Sequence, residues 1–512
     1  MATDTNISLA ADSGPADAVL ILGDTACARR IEANLSSWGV SVIRETAEAT
    51  KCRGGMGDFT VSFRQNGKPR RRRAGAVIIA EEGERRPTHE DLGLTLSSGV
   101  RPLSEIQTDG LPEPLRGGAG SAVFLHGLTW EPPPSAAEAV MDAAMALSRD
   151  HGLKTYILTG NLKVARNGLE KRYRKAREAG VVFAKFTGTL PEIRQTSSDV
   201  RITFTDEATR EPFSLTPDLV VVDERFRPSR ALTDLMAAFQ LHGDPAGFPQ
   251  ADNVHRLSVE TNRKGVFVAG PARGLQAGDA RQADADAAAA AAAAVLEGRT
   301  PDAAHRAEIN RNLCVRCFTC YRLCPHRAVD VFPTRLDVMP SACAGCGICA
   351  TECPRGAIRF DPFAPADIAR EIAAARKAGA GSPFTAVFMC GRSAVPAREL
   401  AAGNGWTAPD GVLFIEVPCA GTVSAEHLFA AFRARADGVL VLSCHPDNCS
   451  SQEGTLHARR KVEELRSFLT AAGGAEDRIA SAALAANMGA GFVRIMDDFQ
   501  NRIAGLGGAQ PS

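Results

Sequence analysis

Eight cysteines between positions 314 and 353 fall into two runs of the same spacing. The first reads Cys314-Val-Arg-Cys317-Phe-Thr-Cys320-Tyr-Arg-Leu-Cys324-Pro325, the second Cys343-Ala-Gly-Cys346-Gly-Ile-Cys349-Ala-Thr-Glu-Cys353-Pro354. A cubane iron–sulfur cluster needs four thiolates at tetrahedral corners. Three closely spaced cysteines on a tight loop supply three of them. The fourth cysteine of each run is expected to start a helix that leads away and so to ligate the other cluster. This assigns Cys314, Cys317, Cys320 and Cys353 to one [4Fe–4S] cluster, and Cys324, Cys343, Cys346 and Cys349 to a second. The prolines end pairing after the last ligand and turn the chain. The short apolar segments Ala328-Val329 and Ala357-Ile358 then suit packing over the clusters. A zinc site would use two C-x2-C pairs. It has no use for a third cysteine at the same spacing, or for Cys-Pro twice.

The doubled run resembles the two-cluster ferredoxin domain, an α+β module placed at residues 301–362, about one eighth of the chain.

A second set of cysteines lies further on. Thr385-Ala-Val-Phe-Met389 reads as a strand ending at Cys390. Val412 to Val417 is a strand before Pro418-Cys419, and Gly438 to Leu442 a strand before Ser443-Cys444. Helices are expected from Ala425 to Ala436, from about Leu456 to Thr470 and from Gly489 to Ile503. Strands alternating with helices imply a parallel sheet, so residues 383–508 read as an α/β domain. The carboxyl ends of parallel strands converge on a ligand crevice. Cys390, Cys419 and Cys444 fall at such ends, and Cys449 shares a turn-forming loop with Cys444. Four thiolates at one edge suit a [2Fe–2S] cluster. A lone buried cysteine after a strand would be an ordinary small hydrophobe; three at strand ends with a C-x4-C pair are not.

About 120 residues here resemble the methyl-viologen-reducing hydrogenase delta subunit family. Val417-Pro-Cys-Ala-Gly421, Ala430-Ala-Phe432, Ala436-Asp-Gly-Val-Leu-Val441 and Cys444-His-Pro-Asp-Asn-Cys449 carry the likeness. The family has a further cysteine shortly after the position of Cys390, and Gly391 to Ser393 supply none. His445 is expected beside the cluster rather than on it.

Near the start, Ala18-Val-Leu-Ile-Leu22, a helix from Arg29 to Ser37 and Gly39-Val-Ser-Val-Ile43 form a βαβ unit. Its turn reads G-x-T-x-x-A where a dinucleotide site has G-x-G-x-x-G/A. Glu45 stands 22 positions after Gly23, where an acidic residue would meet a ribose. The middle glycine lets the backbone approach a pyrophosphate, and Thr25 adds a side chain there. Two readings stand, a nucleotide site and a Rossmann-like half without one. Downstream come a strand from Gly57 to Phe63, a turn at Asn66-Gly67 and the basic run Lys68-Pro-Arg-Arg-Arg-Arg73, read as a solvated hairpin. Strands follow at Ala76–Ala80, Lys154–Leu158, Val181–Phe183, Leu219–Val222 and Gly265–Gly270. The alanine-rich Ala283–Glu297 reads as a helix packed behind the last strand.

This region resembles the flavin domain of heterodisulfide reductase A proteins. Thr261-Asn-Arg-Lys-Gly-Val-Phe-Val-Ala-Gly270, Gly168-Leu-Glu170 with Tyr173, Ala179-Gly-Val181, Val-Leu-Ile-Leu-Gly23 and Gly75-Ala-Val-Ile-Ile79 carry the likeness. It would bring FAD to Gly23, Ala28, Glu45 and Gly270. The family's flavin-wrapping segment after Glu45 is largely missing; Cys52 and Gly54-Gly55 remain near it. The expectation is a reduced domain that binds FAD weakly or not at all, with Cys27 and Cys52 structural.

The expected fold class is α/β: a reduced Rossmann-like flavoprotein domain (1–300), the ferredoxin module (301–362), a linker (363–382) and the last α/β domain (383–508). The order resembles quinone-modifying oxidoreductase B proteins and fused heterodisulfide reductase A proteins. That implies an electron-transfer subunit whose partners are other subunits of a heterodisulfide reductase-like, hydrogenase or formate dehydrogenase type complex. A self-sufficient flavin enzyme and a zinc-bound scaffold are the alternatives.

Composition narrows the classes. Lys plus Arg and Asp plus Glu each number 59, so the net charge is zero, which argues against a nucleic-acid partner. No apolar stretch is long enough to span a bilayer, and Met1 to Pro15 show no signal-peptide pattern; peripheral membrane association through partners stays open. The 14 cysteines lie in C-x2-C arrays or after strands, not in a secreted disulfide framework, which suits a cytoplasmic protein. There is no Ser/His/Asp set, Walker loop or H-E-x-x-H motif.

Overall fold

The computed structural model describes residues 16–112, 115, 120–162, 168–197, 199–249, 251, 259–274, 276, 278–298, 306–361, 363–378 and 381–506. Residues 1–15 and the domain edges expected at 300, 301, 362 and 508 lie outside them. The chain divides into two compact units: Met1–Glu81 with Arg230–Arg273 and Gln282–Ser512, and Glu82–Ser229 with Gly274–Arg281.

The first unit opens with a four-stranded parallel sheet in the order Val266–Val268, Ala76–Ile79, Ala18–Leu22, Ser41–Glu45. Ala18–Leu22 and Ala76–Ile79 are buried at every residue, as continuous apolar runs in a parallel sheet must be. Helix Ala26–Ser37 buries Cys27, Ile31 and Leu35 at four-residue intervals, one face of the helical period. The alanine-rich helix Gly278–Leu296 packs Ala285, Ala288, Ala289 and Ala292 against the same core, as its composition suggested.

Between Ser41–Glu45 and Ala76–Ile79 runs an antiparallel meander of Glu48–Gly55, Asp58–Gln65 and Lys68–Ala74. Its second turn is the expected Asn66-Gly67, with φ of 51° and 75°, the backbone a tight hairpin of this kind needs. The basic run is not merely solvated: it is a paired strand, and Arg70 and Arg72 both reach Glu45.

The second unit holds a five-stranded parallel sheet in the order Val182–Lys185, Lys154–Thr159, Ser121–His126, Leu219–Val222, Val100–Pro102. Helices Pro134–His151 and Leu169–Glu178 cover one face. The antiparallel strands Glu192–Gln195, Val200–Thr205 and Pro212–Leu215 carry Val200, Ile202 and Phe204 to the other. The single reduced domain expected over 1–300 therefore resolves into two separately packed sheets. Strands Val100–Pro102 and Ser121–His126, unmarked by sequence pattern, belong to the second.

The cysteine runs sit in a small α+β module. Glu308–Ile309 pairs with Ile358–Arg359, and Val329–Val331 with Leu336–Val338. One expectation is corrected. The fourth cysteine of each run does not start a helix; it follows one. Cys324 caps the end of Thr319–Leu323, and Cys353 comes just after Ile348–Thr351. Pro325 and Pro354 explain this, since the residue before a proline is pushed out of the helical region.

The last sheet is parallel in the order Val412–Val417, Thr385–Cys390, Gly438–Ser443, Ile479–Ala483. Helices Pro365–Lys377, Ala425–Arg433 and Gly454–Ala471 cover one face; Ala394–Gly403 and Gly489–Gly505 cover the other. The linker helix is thus part of this domain, burying Ile368 and Ile372. Phe388, fully buried in the middle strand, is expected to show this. Phe388→Ala should cost about 3–5 kcal/mol, seen by calorimetry as a lowered unfolding transition. An unmoved transition would contradict its place in the core.

Candidate metal centres

The first loop must wrap three sulfurs around one centre, which takes left-handed turns. Arg316 and Phe318 have φ of 56° and 61°, and the matching positions of the second loop, Gly345 and Gly347, have 65° and 72°. A non-glycine residue in this region costs roughly 1–2 kcal/mol, so the first loop holds its shape against strain. Cys314, Cys317, Cys320 and Cys353 line one cavity with Ile309, Phe318, Leu336 and Ile358. Burial pushes the Cys320 thiol up to about 11, with Cys314, Cys353 and Cys317 adding to the effect.

The second set behaves alike. Burial pushes Cys346 up to about 12, with Cys324 and Cys343 close enough to contribute. Burial first, then Cys346, Cys324 and Cys343, raise Cys349 well above an ordinary thiol. The structure thus brings together the two groups of four read from the spacing, each with its fourth member from the other run. The Ala328 and Ala357 amides donate to the sulfurs of Cys324 and Cys353, both at 3.3 Å.

The third set gathers at the carboxyl edge of the last sheet. Cys390 ends the middle strand, Cys419 and Cys444 follow its two neighbours, and the turn Pro446–Asn448 brings back Cys449. The sulfurs of Cys390 and Cys444 are 3.6 Å apart. Two thiolates on one tetrahedral metal, with bonds of about 2.3 Å, would stand about 3.8 Å apart. A Cβ added to Gly454 would lie 2.5 Å from the Cys419 sulfur and 3.4 Å from that of Cys449. All four cysteines are buried. A hydrogen bond with Cys444 lowers the pKa of Cys390, and bonds with Cys419 and then Cys444 lower that of Cys449. Cys444 and Cys419 move the other way, as partners that keep the protons.

All three sets are sulfur-only and fit iron–sulfur clusters. Buried thiols favour the neutral form, and a cationic metal core supplies the charge that lets them ionise. Among the described residues no three His, Cys, Asp or Glu side chains converge as one metal ion would require; the first set rings a cavity instead. Beside the third set, the buried Gln452 amide nitrogen has no protein partner, a donor suited to a sulfur-rich anion.

His445, expected next to this cluster, is exposed. A histidine that sequence pattern did not single out, His326, is buried instead. Its Nδ1 lies 2.8 Å from the Asn262 carbonyl, and burial lowers its pKa to about 4. Asn262 in turn donates to the Pro325 carbonyl at 2.6 Å. This ties the Cys324-Pro325 turn to the first sheet, and the Thr261-Asn262-Arg263 stretch was its only sequence signal.

Gly23, Ala28, Glu45 and Gly270 lie about the carboxyl edge of the first sheet. Gly23 has φ of 119° and no room for a Cβ, which would lie 2.4 Å from the Ala80 carbonyl oxygen. Thr25 Oγ accepts from the Ala28 amide and donates to the Ala80 carbonyl. It caps the helix and fills the point where a pyrophosphate would approach. Glu45 is held by Arg70 and Arg72, each at 3.4 Å. The adjoining pocket is lined by Gly23, Glu45, Glu48, Glu81 and Asp234, against one cation, Arg230. This acidic edge does not fit a dinucleotide. Ala28 and Gly270 are buried, and Gly270 backs onto Cys27. Cys27 and Cys52 are buried, and burial pushes Cys52 up to about 11.

Comparison with known proteins places two stretches. Residues 336–359 match the 4Fe-4S binding domain, and residues 385–507 match the family described as methyl-viologen-reducing hydrogenase, delta subunit. The A-type subunit of Methanosarcina mazei ferredoxin:CoB-CoM heterodisulfide reductase is 24% identical over 291 residues, 57% of this chain. The chain spans only 37% of that relative's length. Lactococcus lactis thioredoxin reductase, a solved structure, covers 55% of this chain and 99% of its own, at 15% identity and a TM-score of 0.37, too low to add to the topology described. The D-type iron-sulfur subunit of Archaeoglobus profundus F420-non-reducing hydrogenase is 30% identical over 125 residues, 24% of this chain and 91% of that protein. Through its last sheet and the cysteines at that sheet's edge, the chain belongs to the hydrogenase delta subunit family.

Proposed function

We propose that this protein is the iron–sulfur electron-transfer subunit of a larger oxidoreductase. Cys314, Cys317, Cys320 and Cys353 would hold one [4Fe–4S] cluster, and Cys324, Cys343, Cys346 and Cys349 the second. Cys390, Cys419, Cys444 and Cys449 would hold a [2Fe–2S] cluster. Bound clusters of these kinds supply one-electron exchange at potentials set by hydrogen bonds to sulfur, burial and net charge. The observation that carries this reading is the succession of three all-cysteine sets within one compact unit. The first set adjoins the second through Cys320 and Cys349, and the Thr422 hydroxyl near the third bonds the Cys346 carbonyl of the second at 2.6 Å.

The protein's own residues hold and shield these sets. Ile309, Leu336 and Ile358 keep water from the first, while its Cys317 is exposed. Around Cys317 stand Leu313, Val315 and Tyr321, all exposed, with Arg316 on the loop and Arg322 of helix Thr319–Leu323 donating to the Cys317 carbonyl. This is the end that would meet another protein of the complex. By likeness to the relatives, the partners are of heterodisulfide reductase-like or hydrogenase type, and the order of domains adds the formate dehydrogenase type as a proposal. No helix among the described residues is long and apolar enough to cross a membrane. We place the protein in the cytoplasm on its cysteine arrays, which suit a reducing compartment. The first sheet serves as scaffold rather than as a flavin site, because Thr25 and the acidic edge oppose a pyrophosphate.

Two outcomes follow. Full-length protein purified without oxygen should hold about ten irons per chain, and Cys419→Ala with Cys444→Ala should remove about two of them. Zinc in place of iron would contradict the assignment. Denatured native protein should release far less than one flavin per chain by fluorescence; a stoichiometric amount would show that the first sheet binds FAD after all.

A further inference from the structure

The loop after Cys346 and the loop after Cys419 meet with almost no space between them. Three glycines make this approach. A Cβ on Gly347 would lie 2.3 Å from the Thr422 hydroxyl. A Cβ on Gly421 would lie 2.8 Å from Ile348 Cγ1 and 3.1 Å from the Gly454 Cα. Gly454 itself lies against the sulfurs of Cys419 and Cys449. Real Cβ atoms do not occupy such positions, so Gly347 and Gly421 are required by the contact, and Gly454 by the sulfurs it lies against.

Hydrogen bonds cross this contact in both directions. Thr422 donates to the Cys346 carbonyl at 2.6 Å. From the other side, the Thr351 hydroxyl reaches the Gly421 carbonyl at 3.2 Å, and Lys461 of helix Gly454–Ala471 donates both to that carbonyl at 3.3 Å and across the contact to Thr351 Oγ at 3.0 Å. The Lys461 side chain is 7% exposed and pairs with Glu352 at 3.0 Å. Glu352 precedes Cys353, so the ion pair fastens the cysteine module to helix Gly454–Ala471. A buried ammonium is costly unless paired and hydrogen-bonded, and here it is both.

From this geometry we infer that Thr422, with Gly347, Gly421 and Gly454, is the coupling bridge between the second and third cysteine sets. Resting on the function proposed above, the inference adds the residues that would make the exchange efficient. Coupling between redox centres falls steeply with the gap to be crossed, and hydrogen-bonded paths carry it better than open contacts. The path runs from Cys346 through its carbonyl and the Thr422 hydroxyl, then along three residues to Cys419. Exchange across it moves one electron, oxidising one centre as it reduces the other, and breaks no bond. Thr422 is a positioning residue: it acts through the Cys346 backbone.

The test uses the full-length protein purified without oxygen, with Thr422→Val, Thr422→Ser and Gly421→Val. Iron content checks that each variant is loaded. Electron paramagnetic resonance of the fully reduced protein reads the magnetic interaction between the centres, and rapid-freeze sampling after partial reduction reads how fast they equilibrate. Thr422→Val, which keeps the shape and removes the hydroxyl, should slow equilibration several-fold at unchanged iron content, and Thr422→Ser should restore it. Gly421→Val should weaken the magnetic interaction by pushing the loops apart. Equilibration as fast in Thr422→Val as in the parent protein, with all clusters present, would overturn the bridge and leave the proposed function standing. A parent protein with no iron in the third set would instead overturn the third centre of the proposed function and the bridge with it.

Discussion

The constraint on which the first unit depends is the placement of sulfur charge where water cannot screen it. Cys346 and Cys349 of the second set, and all four of the third, sit deep enough that desolvation works against ionising them. A thiolate there needs a positive core beside it. The surroundings are consistent with that need. Carboxylates are absent from the lining of the first cavity, and the Ala328 and Ala357 amides aim at Cys324 and Cys353. The third set is gathered by neighbouring parallel strands, whose common edge brings three sulfurs together before any metal is considered.

That arrangement sets a gradient of exposure. Cys317 is open to solvent, the middle set is largely covered, and the four cysteines at the sheet edge are buried. An exposed end suits exchange with another protein, and a buried end suits a centre that exchanges electrons only with its neighbour. The first sheet braces the sequence of sites through Asn262, Pro325 and His326. Its own edge, closed by Thr25 and lined with Glu45, Glu48, Glu81 and Asp234, is the negative of a phosphate site. The sheet has the topology of a dinucleotide-binding fold, with Thr25 in its turn and carboxylates along its crevice.

The grouping of the cysteines was legible in the sequence because ligand spacing is local. Two runs of C-x2-C-x2-C-x3-C-P announce their own loops, and cysteines after three apolar strands announce a shared edge once the sheet is taken as parallel. Thr25 stood out as a misfit in a short motif, and the structure gives it two hydrogen bonds that explain the misfit. What escaped was non-local or weakly patterned. Ile479–Ala483 carries one large apolar residue and gives little strand signal. The second parallel sheet was merged with the first because no composition change separates them. The contact of Thr422 with Cys346, and of Lys461 with Gly421, joins residues about 40 to 76 positions apart, a pairing that periodicity cannot show. The helix misplaced after Cys324 and Cys353 came from reading the ligand spacing without the effect of proline on the preceding residue.

The central claim is that three separate iron–sulfur centres share this one chain. Mössbauer spectroscopy of full-length protein grown on isotopically enriched iron tests it most directly, because it counts iron by cluster type. The account predicts two populations, cubane iron and two-iron-cluster iron, in a ratio of about four to one. A single cubane population would contradict the third centre, and iron absent from the cysteine module would contradict the account as a whole.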